Sequence, residues 1–95
     1  MSNSDAAGDQ ADFDRKVLKD FSLPNARLKD IPRQPKKKLV IYRHITEQFE
    51  PGRRYNEAEV NEVIRRFHED YATIRRGLIE HGLMAREAGQ YWRPE

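Results

Sequence analysis

The chain has 95 residues, with 18 Lys+Arg against 16 Asp+Glu, three His and no Cys; 37% of residues are hydrophobic and 36% charged. At ~100–200 residues per domain this is one small domain, which excludes a multidomain enzyme, and the lack of cysteine excludes disulfide frameworks and thiolate metal sites. The longest apolar stretch, Leu39-Val40-Ile41-Tyr42, is far short of the roughly 18 residues of a membrane span, and MSNSDAAGDQ lacks the basic start and apolar run of a secretory signal. A cytoplasmic protein without membrane contact is expected.

Net charge is +2 and says little; its distribution says more. Residues 1–24 hold three basic and five acidic side chains, residues 25–54 nine and three, and residues 55–95 six and eight. A basic middle between mildly acidic ends permits contact with a polyanion without requiring it.

Residues 1–12 are small and polar with no apolar period, and read as a disordered tail. From residue 13 to 93 the chain reads as a single domain. Phe13, Val17 and Phe21 recur at i, i+4, i+8 and predict a short helix capped by Asp12 and ended by Pro24. Leu28 to Ile31 is extended, held so by Pro32 and Pro35. A second helix is expected from Pro35, with Leu39, Ile41, Tyr42, Ile45 and Phe49 on one broad face and Val40 off it. Pro51-Gly52 ends it, and Arg53-Arg54-Tyr55 predicts a short strand.

The clearest local signal follows. Asn56 is placed to accept a backbone N–H as N-cap, Glu59 to reach back as in a capping box, and Tyr55 and Val60 to form a hydrophobic staple. Val60, Val63, Ile64 and Phe67 form the buried stripe of a helix over 57–67. Asp70 caps a further helix over 70–81, and Gly82 suits the left-handed position beyond its end. Leu83–Arg86 and Tyr91–Arg93, either side of a turn containing Gly89, read as a hairpin. The predicted fold is α+β, mainly α: a winged helix-turn-helix with an extra N-terminal helix and a small antiparallel sheet joining the hairpin to the strand near Tyr55. In that arrangement 57–67 is the first helix of the motif, 70–81 the recognition helix and 83–93 the wing.

Several spaced motifs then carry a family resemblance: Leu28-x-x-Ile31-Pro32, Lys36-Lys37-Lys38, Tyr55-Asn56-Glu57-x-Glu59-Val60-Asn61, Asp70-x-x-x-Ile74-Arg75-Arg76-x-Leu78-Ile79 and Arg86-x-x-x-x-Tyr91. Over residues 13–93 the chain resembles the bacterial domain of unknown function 2087. The resemblance implies a small prokaryotic domain, found alone or attached to helix-turn-helix transcription regulators, with no catalytic residues and no proven ligand.

On a wheel of 100° per residue starting at Tyr71, the buried arc of the recognition helix holds Ile74, Leu78, Tyr71, Ile79 and Ala72, and Arg75 falls inside it at about 40°. A half-buried Arg75 needs a carboxylate, with Glu57, Glu59 or Asp70 as candidates, because an unpaired buried charge is too costly in so small a core. Thr73, Arg76, Gly77 and Glu80 lie opposite. Arg76 there either reads guanine or grips a phosphate, or is an ordinary solvated arginine. Arg86 and Arg93 on the wing, and Lys36, Lys37, Arg53 and Arg54 near the first core helix and sheet, are candidate phosphate contacts; the alternative for the lysines is a solubilising face. Tyr91 and Trp92 alternate across a strand, so one faces the core and the other solvent.

Catalysis is not expected. His44 with Glu47, and His68 with Glu69 and Asp70, lack metal-site spacing, and no nucleotide-binding or nucleophile motif is present, so neither metal nor cofactor is predicted. The leading expectation is a non-catalytic bacterial domain that binds double-stranded DNA or regulates transcription. Against strong DNA binding stands the net −2 of the helix-turn-helix segment itself. The alternative is therefore a protein-interaction or effector module on the same scaffold, without DNA binding.

Overall fold

A computed structural model describes residues 4–95, with side chains from Asp9 onward. The described residues hold four helices, α1 (Ser4–Phe21), α2 (Pro35–Thr46), α3 (Glu57–Arg65) and α4 (Tyr71–Glu80), and three strands, β1 (Arg54–Asn56), β2 (Ala85–Glu87) and β3 (Gln90–Trp92). This is an α+β fold, mainly helical. Two compact units divide the chain, one up to Ile41 and one from Tyr42, with the boundary inside α2.

In the first unit α1 is longer than the periodicity of Phe13, Val17 and Phe21 suggests. The expected tail, residues 1–12, is helical from Ser4, and residues 1–3 lie outside the described residues. Asp12 is therefore not a cap; it lies inside the helix and pairs with Arg15 one turn on, while Gln10 donates to Asp14 at 2.8 Å. Such local pairs extend a helix beyond the reach of its apolar stripe. After α1 the chain turns back: Leu23 N–H donates to the Arg27 carbonyl and Lys29 N–H to that of Phe21, and Leu28 is buried. Val40, expected off the buried face of α2, is only 3% exposed. With Ile41 and Tyr42 also buried, α2 is enclosed over more than the one arc its pattern suggested.

The second unit is built around α3, α4 and the sheet. Asn56 and Glu59 form the expected capping box: Glu59 N–H donates to Asn56 Oδ1 at 2.8 Å and Asn56 N–H to Glu59 Oε1 at 2.9 Å. Asn56→Ala removes one of these bonds and is expected to lower stability by about 1 kcal/mol, read by thermal denaturation. Val60 and Ile64 of α3, Ile74 and Leu78 of α4, and Ile45 and Phe49 are all but fully buried and form the core of this unit. The sheet order is β1-β3-β2, antiparallel throughout, with Tyr55 opposite Tyr91 and Tyr91 opposite Arg86. Ala88 and Gly89 both have positive φ, which lets two residues close the β2–β3 hairpin with the twist its strands need.

Candidate nucleic-acid interface

The pose of α4 follows from its two ends and one glycine. At the N-terminus Asp70 accepts from Thr73 N–H at 3.4 Å. At the C-terminus Gly82 takes a φ of 71°, and Leu83 N–H returns to the Leu78 carbonyl at 2.9 Å. Between them Ile74, Gly77 and Leu78 are buried. Gly77 thus departs from the expected outward position. The aromatic ring of Tyr42, 2% exposed, lies directly over the Gly77 backbone. A glycine lets a ring approach the helix where any side chain would fill the space, so the buried arc reaches one position further round than apolar side chains indicate. Gly77 is a packing residue and is withdrawn as a contact for DNA.

Arg75 faces inward and Arg76 outward. The Arg75 side chain is 17% exposed, with its Nε 3.8 Å from Glu57 Oε1, and its Nη1 donates to Asn61 Oδ1 at 2.6 Å. Of its three candidate partners only Glu57 is brought to it; Glu59 and Asp70 serve as helix-cap groups. Asn61 was missed, although it lies one turn after Glu57 on α3 and such i, i+4 residues share a face. The phenol of Tyr91, itself 2% exposed, donates to Glu57 Oε1 at 2.7 Å. Glu57, Asn61, Arg75 and Tyr91 therefore tie α3, α4 and β3 together.

That network sets two ionisation equilibria. The Tyr91 hydrogen bond, then the Arg75 charge and more weakly that of Arg86, hold the Glu57 carboxyl below its usual range. Burial, then the bond to Glu57, push the Tyr91 phenol up. A carboxyl lowered on folding contributes stability above its unfolded value and loses it as pH falls through the folded one. A phenol raised on folding contributes below its unfolded value and loses it as pH rises through the folded one. Tyr91→Phe is expected to move the Glu57 midpoint back up toward the ordinary carboxylate range, as followed by carbon NMR of the carboxyl. An unchanged midpoint would show that another group sets it.

The remaining candidates separate clearly. Thr73 and Arg76 are exposed on the outer side of α4, and Arg76 makes no ion pair among the described residues. Arg86 is exposed on β2, its guanidinium 5.6 Å from the Tyr91 ring centre. Arg76 and Arg86 line one cleft, which Arg75, Glu57, Ile79, Glu80 and Tyr91 complete. Arg93 does not join them. Its Nη1 donates to the Phe49 carbonyl at 3.2 Å while its own carbonyl accepts from Gly52 N–H at 2.8 Å, so it fastens the end of β3 to the turn before β1. A carbonyl left over where α2 has ended is a natural partner for a nearby guanidinium, and Arg93 is withdrawn as a wing contact.

Arg54 and Trp92 sit opposite each other in the β1–β3 register, and the guanidinium lies 3.7 Å from the indole centre. That stack half-covers Trp92, while Tyr91 takes the core side. Arg53 is exposed, 3.8 Å from Glu50 and 5.0 Å from the Tyr55 ring centre. Lys36 and Lys37 belong to the first unit; Lys36 is exposed and the Lys37 ammonium stands 6.0 Å from the Phe21 ring centre.

Among the described residues no group of three or more His, Cys, Asp or Glu is arranged to hold a metal ion, and no helix is long and apolar enough to cross a membrane. What the geometry defines is a small α+β domain in which a helix pair and a three-stranded sheet frame an arginine-lined cleft. The chain belongs to the family described as "Uncharacterized protein conserved in bacteria (DUF2087)", whose model matches residues 27–93. The match starts after α1, not at residue 13 as the motifs suggested. No curated protein and no solved structure matches the chain.

Proposed function

We propose that this domain binds double-stranded DNA and regulates transcription as a winged helix-turn-helix. In this reading α3 and α4 form the two-helix motif, and the β2–β3 hairpin is the wing. The observation that carries it is Arg76: it stands exposed, with no ion pair among the described residues, on the outer side of α4 beside Thr73, and shares its cleft with Arg86 of the hairpin. A forked donor on the outer side of a helix suits the guanine edge in a major groove, and phosphate contacts from the flanking hairpin would set its register. Arg53 and Arg54, at the sheet's first strand, and Lys36 in the first unit are additional candidate phosphate contacts. Lys37, only partly exposed, is a weaker one.

The test is binding of a mixed-sequence duplex, followed by fluorescence anisotropy over a range of salt concentrations. With Arg86, Arg53, Arg54 and Lys36 each on a phosphate, log K should fall against log salt with a slope of about −4. Binding weaker than ~100 μM at low ionic strength would fall below ordinary non-specific contact and overturn the reading. The second reading is a protein-interaction module. It is favoured by Glu57 and Glu80, which line the same cleft as the arginines and would oppose a neighbouring phosphate chain.

A further inference from the structure

The cleft between α4 and the hairpin has a volume of ≈ 330 Å³, within the range of small-molecule sites. Three guanidinium groups line it, and they are not equivalent. Arg75 is neutralised by Glu57 and hydrogen-bonded to Asn61. Arg76 and Arg86 make no contact ion pair among the described residues, although Glu57 and Glu80 stand in the same walls, so three guanidinium groups share the concavity with two carboxylates. Glu57 is committed through Oε1 to Tyr91 and Arg75 and acts on Arg86 only more weakly. Ile79 and the Tyr91 ring add apolar surface to the same walls.

We propose that this cleft binds a small molecule carrying a compact oxyanion, a carboxylate or a phosphate, between Arg76 and Arg86. A forked guanidinium pairs with either group through two parallel N–H bonds, and two such forks line this cleft. The body of the ligand lies against Ile79 and Tyr91. The mixed lining selects for size: DNA carries a charge every ~1.7 Å, so its neighbouring phosphates would meet Glu57 and Glu80, whereas one isolated acid group need not. The site does not depend on the DNA-binding reading. Only a competition between ligand and duplex for Arg76 and Arg86 would rest on it.

The test is nitrogen-proton NMR of the full chain, reading the arginine side-chain Nε–H signals and backbone amides. Glutarate and glycerol 3-phosphate are titrated at ionic strength matched with sodium chloride, and mixed-sequence duplex DNA is titrated in a separate arm. Saturable shifts at Arg75, Arg76 and Arg86, with Arg53 and Arg54 unmoved, are expected from at least one of the two small probes, and which probe acts identifies the acid group. Arg86→Gln should weaken that binding about tenfold while leaving the melting temperature unchanged. Shifts that never saturate, that spread over all basic residues alike, or that survive Arg86→Gln undiminished would overturn the proposal. A response to duplex alone would remove the small-molecule site and leave the DNA-binding reading standing; a saturable response to a small probe alone would do the reverse.

Discussion

Gly77→Val is expected to destabilise the domain by about 2–3 kcal/mol, a fall in melting temperature of about 10–20 °C for a chain of this size. A Cβ built at Gly77 would lie 2.7 Å from Tyr42 Cζ and 2.8 Å from its Oη, closer than side-chain atoms approach one another. Tyr42 has little room to retreat, since it is 2% exposed and meets the His81 ring edge-on at 5.6 Å. The better helix propensity of valine returns only a few tenths of a kcal/mol. Shortening Tyr42 to alanine in the same chain should recover part of the loss relative to the sum of the single changes, because the two residues share one space. A Gly77→Val protein that melts with the wild type would mean that Gly77 stands on the open side of α4 after all.

Arg75→Ala and Arg76→Ala are expected to fail in opposite ways. Loss of Arg75 leaves Asn61 Oδ1 without its donor and Glu57 without its nearest cation, at a position where the side chain is 17% exposed. The expected cost is about 1–2 kcal/mol. Loss of Arg76 removes an exposed side chain with no ion pair among the described residues, so stability should stay within about 0.5 kcal/mol of the wild type. If the proposed DNA-binding reading holds, its effect falls on binding, where one charge-assisted contact is worth about tenfold in affinity for duplex DNA. Thermal melting and anisotropy on the same two proteins check both halves. Equal destabilisation by the two changes would show that α4 is rotated from the position described.

What could be read from the residues was local. The Asn56–Glu59 box, the Gly82 stop, the Asp70 cap and the turn around Gly89 are each set within four or five residues, and each stands at the expected place. The inward Arg75 and outward Arg76 follow from helical period alone. What could not be read was decided by distant partners. Gly77 carries no side chain to signal burial, and only the position of Tyr42 reveals why it must be glycine. Arg93 reads as a surface cation until the Phe49 carbonyl is found beside it. Asn61 is one of several polar residues of α3, and nothing sets it apart until Arg75 arrives from α4. The length of α1 was hidden for a simpler reason: its first half has no apolar period to signal a helix.

The central claim is that duplex DNA meets the outer side of α4 and the hairpin, and amide mapping of the whole chain with mixed-sequence duplex tests it most directly. The expected result is perturbation concentrated at Thr73, Arg76 and Arg86, reversed by added salt, with Gly77 and Arg93 changing no more than the core around them. Perturbation confined to other surfaces, or none at a duplex concentration that saturates ordinary non-specific binders, would contradict it.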